Sequence, residues 1–227
     1  MAMHEEKTLN QVYDGRLFHP STMLVCGPSG SGKTCFTKRL LQMSKEMFKP
    51  CHPAFVILVY DTWQESYKDM VSNGLVNLTI KGLSDFDYLK ELFEEYKNVG
   101  GTMLIIDDQM QYIDQNIVSI FTIYSHHMNV TCLLLTQSLF LSNKEYRTIS
   151  LNSHYIFLMK NTRDSSSVTQ LAKQTHPFRT RYITDSYIDA TRFPYSYLLF
   201  DLRQETPDEI RLRSNIFSDP VSIYTPK

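Results

Sequence analysis

Short apolar runs alternate along roughly the first 175 residues with longer segments whose apolar residues recur every three or four positions. Continuous apolar runs are typical of strands buried on both faces of a sheet, whereas the longer period is typical of helices that cover it. The runs lie at residues 22–26, 54–60, 76–80, 102–106, 131–136 and 154–159. This alternation predicts an α/β domain with a mainly parallel central sheet and helices on both faces.

Helices are predicted between these runs, and two of them begin at sequences that resemble capping boxes. Ser84 and Asp87 precede one helix, and Ser142 and Glu145 precede another. The other helices are predicted at residues 35–48, 63–72, 113–125, 164–174 and 183–191. Near the end of the chain, residues 195–202 and 209–214 flank a Thr-Pro-Asp turn and predict a C-terminal β-hairpin.

A glycine-rich segment between the first buried run and the helix after it matches the phosphate-binding pattern G-x-x-x-x-G-K-S/T at every fixed position. Its glycines let backbone N–H groups surround phosphate oxygens, and the helix start adds its positive dipole end. Lys33 would reach the β- and γ-phosphates, and the Thr34 hydroxyl would bind Mg²⁺. The predicted ligands are therefore ATP and Mg²⁺. The expected nucleotide-binding residues are Gly27, Pro28, Ser29, Gly30, Ser31, Gly32, Lys33, Thr34 and Cys35.

Two adjacent carboxylates, Asp107 and Asp108, follow the apolar run 102–106. An acid at the end of such a strand is expected to hold Mg²⁺, which we assign to Asp107. Asp108 is then the candidate that accepts a proton from the attacking water. The alternative is a solvated turn after a strand, but ligand sites in parallel sheets lie at the carboxyl ends of strands.

Gln137 ends the run 131–136 and is a third candidate for catalysis. Its amide could contact the γ-phosphate or the attacking water, a role that glutamine has in other nucleotide hydrolases. A strand-terminal polar residue that only makes a turn explains the same position equally well. The residue alone does not decide between the two.

Composition limits the classes of protein to consider. The chain has 227 residues, a hydrophobic share of 42% and a net charge of −1, which argue for one globular domain and against a surface coated in basic charge. No apolar run approaches the ~20 residues of a membrane span, and the acidic N-terminus lacks a signal peptide, so we expect an intracellular protein that is not secreted. The four cysteines, Cys26, Cys35, Cys51 and Cys132, form no C-x-x-C pair, which argues against zinc or a disulfide framework.

The segments GPSGSGKT, LIIDD and LLLTQ, in this order and spacing, resemble the HerA/FtsK superfamily of P-loop ATPases. The later segments RTISLNS and YIFLMKNTRD resemble its DNA-packaging ATPases, which occur in poxviruses, other large DNA viruses, virophages, Maverick/Polinton elements and adintoviruses. The lead FHPSTMLV and the ending YLLFDLRQETPDEIRLRSNIF fit the small ATPases of these elements best. The resemblance covers residues 16–217, which we take as the ATPase domain, with residues 1–15 as an N-terminal extension and 218–227 as a C-terminal tail.

The resemblance implies a RecA-like sheet of the ASCE type, in which the Gln137 strand lies between the P-loop strand and the Asp107 strand. It implies a ring of subunits that drives double-stranded DNA, independently of sequence, into a capsid. The expected partners are DNA, further copies of the chain and capsid components. The expected location is the nucleus or cytoplasm of a host cell and the virion.

An arginine that completes the neighbouring subunit's site is expected in such a ring, and we assign this role to Arg147. It lies on a short predicted helix between the strands 131–136 and 154–159. The alternative is a surface arginine paired with Glu145. Arg163 is the second candidate for the trans-acting arginine.

Two other functions fit the P-loop. A nucleoside or nucleotide kinase would need a mobile arginine-rich lid. Arg179 and Arg181 could be mistaken for one, but their place beside Pro177 and Phe178 favours an exposed loop. A nucleotide-gated scaffold of virus assembly would need no catalysis. The complete set Lys33, Thr34, Asp107 and Asp108 argues against a scaffold.

Overall fold

A computed structural model describes residues 14–83, 85–107 and 113–226 of the chain. The strands are β1 (Leu17–Phe18), β2 (Thr22–Cys26), β3 (Phe48–Lys49), β4 (Phe55–Tyr60), β5 (Leu78–Lys81), β6 (Thr102–Ile106), β7 (Val130–Thr136), β8 (Tyr155–Met159), β9 (Tyr197–Asp201), β10 (Leu212–Ser214) and β11 (Ser222–Tyr224). The helices are α1 (Lys33–Gln42), α2 (Ser44–Met47), α3 (Glu65–Ser72), α4 (Phe86–Tyr96), α5 (Gln115–Ser119), α6 (Ser125–His127), α7 (Lys144–Leu151), α8 (Ser166–Thr175) and α9 (Thr180–Ala190).

In these parts of the chain, one nine-stranded sheet has the order β11-β10-β9-β8-β2-β7-β6-β4-β5. The strands from β8 to β5 are parallel, and β9, β10 and β11 continue the sheet in antiparallel pairing. The predicted α/β fold with a mainly parallel sheet is confirmed. The predicted strand order is also confirmed, because β7 lies between the P-loop strand β2 and the strand β6 that precedes Asp107.

Helices cover both faces of the sheet, and successive strand residues alternate between them. Met23 and Val25 of β2 pack with residues of α1, α2 and α3, such as Phe36. Leu24 and Cys26 face the opposite cluster, which contains residues of α4, α5, α7, α8 and α9. Because both faces are covered, the central strands β2, β6, β7 and β8 are buried at every position, as their mostly apolar runs predicted.

Two predicted helices differ from the observed ones. The segment 35–48 divides at Met43 into α1 and α2, and Phe48 then begins β3, which pairs with β1 in a separate sheet. Between α5 and α6, the residues Ile120–Tyr124 form a π-helical turn instead of continuing a regular helix. Periodicity did not reveal either change, since Met47 and Phe48 at the first and Ile120 and Phe121 at the second are buried as a continuous helix would also bury them.

The helix caps also lie one residue later than predicted. Asp85 caps α4 by accepting the N–H of Tyr88, and Asn143 caps α7 by accepting the N–H of Tyr146. Ser84 lies outside the described residues. Asn and Asp are at least as good N-caps as Ser. Where a serine is followed directly by Asp or Asn, the local backbone geometry therefore decides which of the two residues caps the helix.

The C-terminal hairpin is confirmed, because β9 and β10 pair antiparallel at the sheet edge. A buried ion pair of 2.6 Å between Arg213 and Asp201 joins the two strands. Arg213 also donates to the carbonyl of Gly15, which ties the start of the described chain to this edge. The strand β11 lies within the segment 218–227, and the domain limits at residues 15 and 217 stay predictions. None of the helices in the described ranges is long and apolar enough to cross a membrane.

Candidate nucleotide-binding site

Three polar segments meet at the carboxyl edge of the sheet, because β2, β7 and β6 are parallel neighbours. Cys26 pairs with Thr136, so Gly27 and Gln137 follow side by side. The N–H of Gly27 donates to the carbonyl of Thr136 at 3.0 Å, which holds the start of the loop against the end of β7. Asp107 follows β6 on the far side of β7. The fold thus brings together three segments that are far apart in sequence.

The loop after β2 has the backbone that a phosphate cradle needs. Gly30 and Gly32 have φ angles of 77° and 97°, in the left-handed region that favours glycine. Gly32 is the N-cap of α1 without a side-chain cap, so the first N–H groups of the helix have no side-chain acceptor at that position. A helix start of this kind binds anions through its N–H groups and its dipole.

Gly27 is required for close packing of the loop. A Cβ atom there would lie 2.6 Å from the Cβ of Met159 and 2.6 Å from the Oγ of Ser31, which is too close for any side chain. The Oγ of Ser31 is buried, and within the described residues it has no hydrogen-bond partner. A buried hydroxyl without a partner is costly, and a phosphate oxygen is an acceptor that would satisfy it. The loop therefore fits a nucleotide phosphate chain.

Lys33 and Thr34 begin α1 at the loop. The Nζ of Lys33 donates to the carbonyls of Gly27 and Pro28 at 2.7 Å and 3.2 Å, so the ammonium group lies within the loop. Thr34 is partly buried, and Cys35 is exposed on the same turn. The hydroxyl of Thr34 and the carboxylate of Asp107 are oxygen donors suited to Mg²⁺.

Asp107 is 3% exposed, and the hydroxyl of Tyr67 donates to its Oδ2 at 2.7 Å. Tyr67 comes from α3 and is fully buried. The sequence did not reveal Tyr67 as a site residue, because its spacing on α3 is that of an ordinary core residue. Asp108, the candidate proton acceptor, lies outside the described residues.

The turn after β7 holds Gln137 at the surface next to the loop. The side chain of Gln137 is exposed, and the hydroxyl of Tyr146 donates to the carbonyl of Ser138 at 2.7 Å. Tyr146 also donates to the Oγ1 of Thr136 at 3.2 Å. Since Tyr146 belongs to α7, these bonds fix the first turn of α7 to the end of the Gln137 strand.

Asp164 is a second residue whose position the sequence did not reveal. It begins the predicted helix 164–174, and it accepts the N–H groups of Ser166 and Ser167 at the start of α8, but its place beside the phosphate loop depends on the fold. The hydroxyls of the same two serines also donate to it and lower the pKa of its carboxyl group. Asp164 lines a small cavity together with Gly27 and Gln137, so it adds a carboxylate beside the loop.

Arg147 and Arg163 are both exposed. In the described parts of the chain neither forms an ion pair. Glu145, the alternative partner of Arg147, instead accepts a hydrogen bond from Gln115 at 3.2 Å. Both guanidinium groups are therefore available at the surface of a single subunit.

Arg179 and Arg181 lie at the opposite end of the sheet from the loop. The helix α8 begins beside the cavity next to Gly27. At the far end of α8, His176 is close enough to Asp208 and Arg211 for their charges to affect its pKa. Asp208 lies in the turn that follows β9. The N–H of Leu202, at the end of β9, donates to the carbonyl of His154, just before β8, so this turn lies at the amino end of β8. A lid that closes over the phosphates cannot be made from arginines at this place.

Comparisons with known proteins identify the fold. No family model matches the chain, and a search of curated proteins finds no relative. A structure of EssC (ATPases 2 and 3) from Geobacillus thermodenitrificans is similar, with a TM-score of 0.57 and 11% identity over 91% of this chain. A KaiC-like protein, PH0186 from Pyrococcus horikoshii OT3, matches with a TM-score of 0.47 and 13% identity over 91% of this chain and 90% of its own.

This chain spans 40% of the length of the EssC structure. Together with the sheet order and the loop, the similarity shows that the chain has the RecA-like P-loop ATPase fold.

Proposed function

We propose that the chain is an ATP-hydrolysing motor that translocates double-stranded DNA into a viral capsid. One observation carries the ATPase part of this proposal: the loop 27–34, Asp107 and Gln137 meet at one edge of the sheet, at the ends of three adjacent parallel strands. Ligands bind at the carboxyl ends of strands in sheets of this type. The RecA-like fold supports the same site.

The reaction assigns a separate task to each group. Lys33 and the N–H groups at the start of α1 bind the phosphates. Thr34 and Asp107 would hold Mg²⁺, which would supply positive charge to neutralise the phosphate oxygens. Gln137 orients a water toward the γ-phosphorus. Asp108 accepts a proton from that water as its oxygen bonds to phosphorus and the bond to the β-phosphate oxygen breaks. The products are ADP and inorganic phosphate.

The translocation part rests on the resemblance of the segments around Lys33, Asp107, Gln137 and Arg147 to packaging ATPases. A ring of subunits would place the exposed Arg147 of one subunit at the phosphates of the next. DNA, capsid components and further copies of this chain are the proposed partners, and a host cell and its virions are the proposed location. A net charge of −1 requires that the DNA contacts be local.

The positions of Arg179 and Arg181 do not support the kinase alternative. They are the residues that could be mistaken for its lid, and they lie at the end of the sheet away from Lys33. The scaffold alternative predicts nucleotide binding without turnover. Both can be tested in the same assays as the motor.

The deciding experiment measures ATPase turnover with and without duplex DNA of several unrelated sequences at increasing salt concentrations. We expect stimulation by every duplex and a decline with salt, because backbone contacts release counterions. Lys33→Ala is the control that should show no turnover under any condition. Phosphotransfer to nucleosides would favour the kinase, and nucleotide binding without hydrolysis would favour the scaffold.

A mass measurement of the assembly with an ATP analogue and duplex DNA tests the ring directly. A closed oligomer on DNA supports the motor. A monomer that stays monomeric with both ligands contradicts it.

A further inference from the structure

Tyr195 lies in the segment between α9 and β9 and has an unusual backbone. Its φ angle is +61°, in the left-handed region that bulky residues rarely adopt, and its side chain is 68% exposed. A residue in this conformation persists only where the surrounding structure determines it, and such residues cluster at ligand sites. Exposure of the ring also means that the hydrophobic effect does not explain its position.

The side chain of Tyr195 packs on the phosphate-binding loop. A Cβ atom built on Gly32 would lie 3.1 Å from the Cδ1 of Tyr195 and 3.2 Å from its Cβ. Gly32 directly precedes Lys33 and caps α1. The exposed aromatic ring of Tyr195 therefore lies against Gly32, the N-cap of the helix at whose start the phosphates would bind.

The topology gives the ring a direction relative to the nucleotide. Asp107 and Gln137 follow β6 and β7, on one side of the P-loop strand β2. Tyr195 precedes β9, which lies on the other side of β2, beyond β8. A nucleotide bound with its γ-phosphate and metal on the side of Asp107 would extend its base toward the side of Tyr195.

The surface on that side is an open cleft of about 460 Å³. Phe193 and Tyr195 line it with exposed aromatic rings, Arg39 adds a guanidinium group, and Asn215 adds an amide. Ligand clefts of this type combine aromatic walls with a few polar groups and have volumes of ~300–1,000 Å³. The cleft and the loop meet at Gly32.

We propose that the ring of Tyr195 is the platform on which the nucleobase of the bound nucleotide stacks. This inference rests on the proposed nucleotide-binding function and adds the subsite for the base. Stacking on an aromatic ring acts on any base, since every base has a π-face. The ligand class is therefore a nucleoside triphosphate, held by the loop through its phosphates and by Tyr195 through its base.

The test separates the base from the phosphates by comparing Mg-ATP with Mg-tripolyphosphate in calorimetric titrations. Tyr195→Asn removes the ring, and asparagine tolerates the left-handed backbone. Tyr195→Phe keeps the ring. Phe178→Asn is the matched control, because Phe178 is 99% exposed and lies at the far end of α8.

We expect Tyr195→Asn to weaken Mg-ATP binding about 5- to 150-fold, the range for one base stacked on an aromatic side chain. Its affinity for Mg-tripolyphosphate should be unchanged. Tyr195→Phe and Phe178→Asn should bind both ligands like the wild type.

Unchanged Mg-ATP affinity in Tyr195→Asn, with both ligands bound by the wild type, would overturn the stacking inference and leave the proposed function standing. An equal loss for Mg-ATP and Mg-tripolyphosphate would also overturn it, because the effect would then come from the loop. A wild-type protein that binds neither ligand would overturn the proposed function itself.

Discussion

The hydroxyl of Tyr67 donates a hydrogen bond of 2.7 Å to the Oδ2 of Asp107, and both side chains are buried. The bond joins α3 to the end of β6 and limits the orientations that the carboxylate can adopt. Groups that orient a metal ligand in this way change metal affinity although they do not touch the metal. Tyr67 is therefore a positioning residue for the proposed Mg²⁺ site.

Tyr67→Phe should raise the Mg²⁺ concentration for half-maximal ATPase activity by about 10-fold or more, the usual cost of losing a partner of a metal ligand. The ring stays in the core but a buried hydrogen bond to a carboxylate is lost, so the variant should fold with a free energy of unfolding lower by about 1–3 kcal/mol. Mg²⁺ titrations of ATPase activity and urea unfolding of the same variant measure the two effects.

Tyr60→Phe is the matched control for this prediction. The ring of Tyr60 packs beside Tyr67, with centroids 5.9 Å apart. Within the described residues, no hydrogen bond joins the hydroxyl of Tyr60 to Asp107. The same shift in Mg²⁺ dependence in both variants would show that the hydroxyl of Tyr67 has no specific role.

The main features of the fold could be predicted because they depend on long runs and fixed motifs. The apolar run 102–106 became β6 without change, and the order of β2, β7 and β6 followed from the resemblance. The π-helical turn Ile120–Tyr124 could not be predicted, since Ile120 and Phe121 are buried as they would be in a regular helix and the change lies in the backbone hydrogen bonds.

The site was predictable where one local motif defines it and unpredictable where distant elements meet. Lys33 and Thr34 belong to a contiguous pattern, whereas Tyr67 and Tyr195 reach the site only through packing of α3 and of the segment before β9. Arg179 and Arg181 show the converse: two arginines close together in sequence resemble a lid, but the sequence does not tell which end of the sheet they occupy.

Lys33→Ala should abolish ATP hydrolysis and keep the fold. The ammonium group donates to the loop carbonyls of Gly27 and Pro28, so its charge lies within the loop. Lys45→Ala on α2 is the matched control, since Lys45 is an exposed lysine close by in sequence. ATPase assays and thermal unfolding of both variants check the prediction, and wild-type turnover in Lys33→Ala would contradict the site.

Asp107→Asn and Asp108→Asn should fail in different ways. Loss of charge at Asp107 should weaken Mg²⁺-dependent nucleotide binding, because an amide is a poorer Mg²⁺ ligand than a carboxylate. Asp108→Asn should bind Mg-ATP normally and hydrolyse it slowly, since only the proton acceptor is lost. Binding titrations beside single-turnover hydrolysis separate the two, and equal losses of affinity would refute this division.

His19 is a buried histidine whose hydrogen bonds fit the neutral ring. The N–H of Ser21 donates to the Oγ1 of Thr131, whose hydroxyl can then donate to the Nδ1 of His19 at 2.7 Å. The Nε2–H of His19 donates to the carbonyl of Gly100 at 2.8 Å. Burial lowers the pKa of His19 to about 4.

His19 should make the protein less stable as the pH falls below about 6.5, the ordinary histidine pKa. Between that value and the folded pKa of about 4, the unfolded chain binds more protons than the folded one, so acid favours unfolding. The free energy of unfolding should fall by on the order of 2 kcal/mol between pH 7 and pH 5 from this group.

Urea unfolding at a series of pH values measures the effect, and His19→Gln removes the titrating group. We expect the variant to lose less stability over the same interval than the wild type. Some dependence should remain, because burial also lowers the pKa of His154 to about 4. Parallel curves for the wild type and His19→Gln would contradict the assignment.

Arg147 is placed on α7 in a way that suits a contact with a neighbouring subunit. Its preceding residue, Tyr146, is bonded to the turn beside Gln137, so the helix start is fixed to the candidate site. Arg147 itself points to the exposed side, and Glu145 is bonded to Gln115. A planar guanidinium group with permanent charge is suited to stabilise a γ-phosphate in the transition state.

Arg147→Ala should lower ATPase turnover by roughly 10³- to 10⁵-fold, the usual value of a trans-acting arginine, and should leave ATP affinity largely intact. Mixing gives the sharper test. Arg147→Ala and Lys33→Ala subunits should each be inactive alone. Mixed rings contain interfaces that join an intact loop to an intact arginine, so turnover should partly return. Full activity of Arg147→Ala alone would refute its role and make Arg163 the next residue to test by the same mixing experiment.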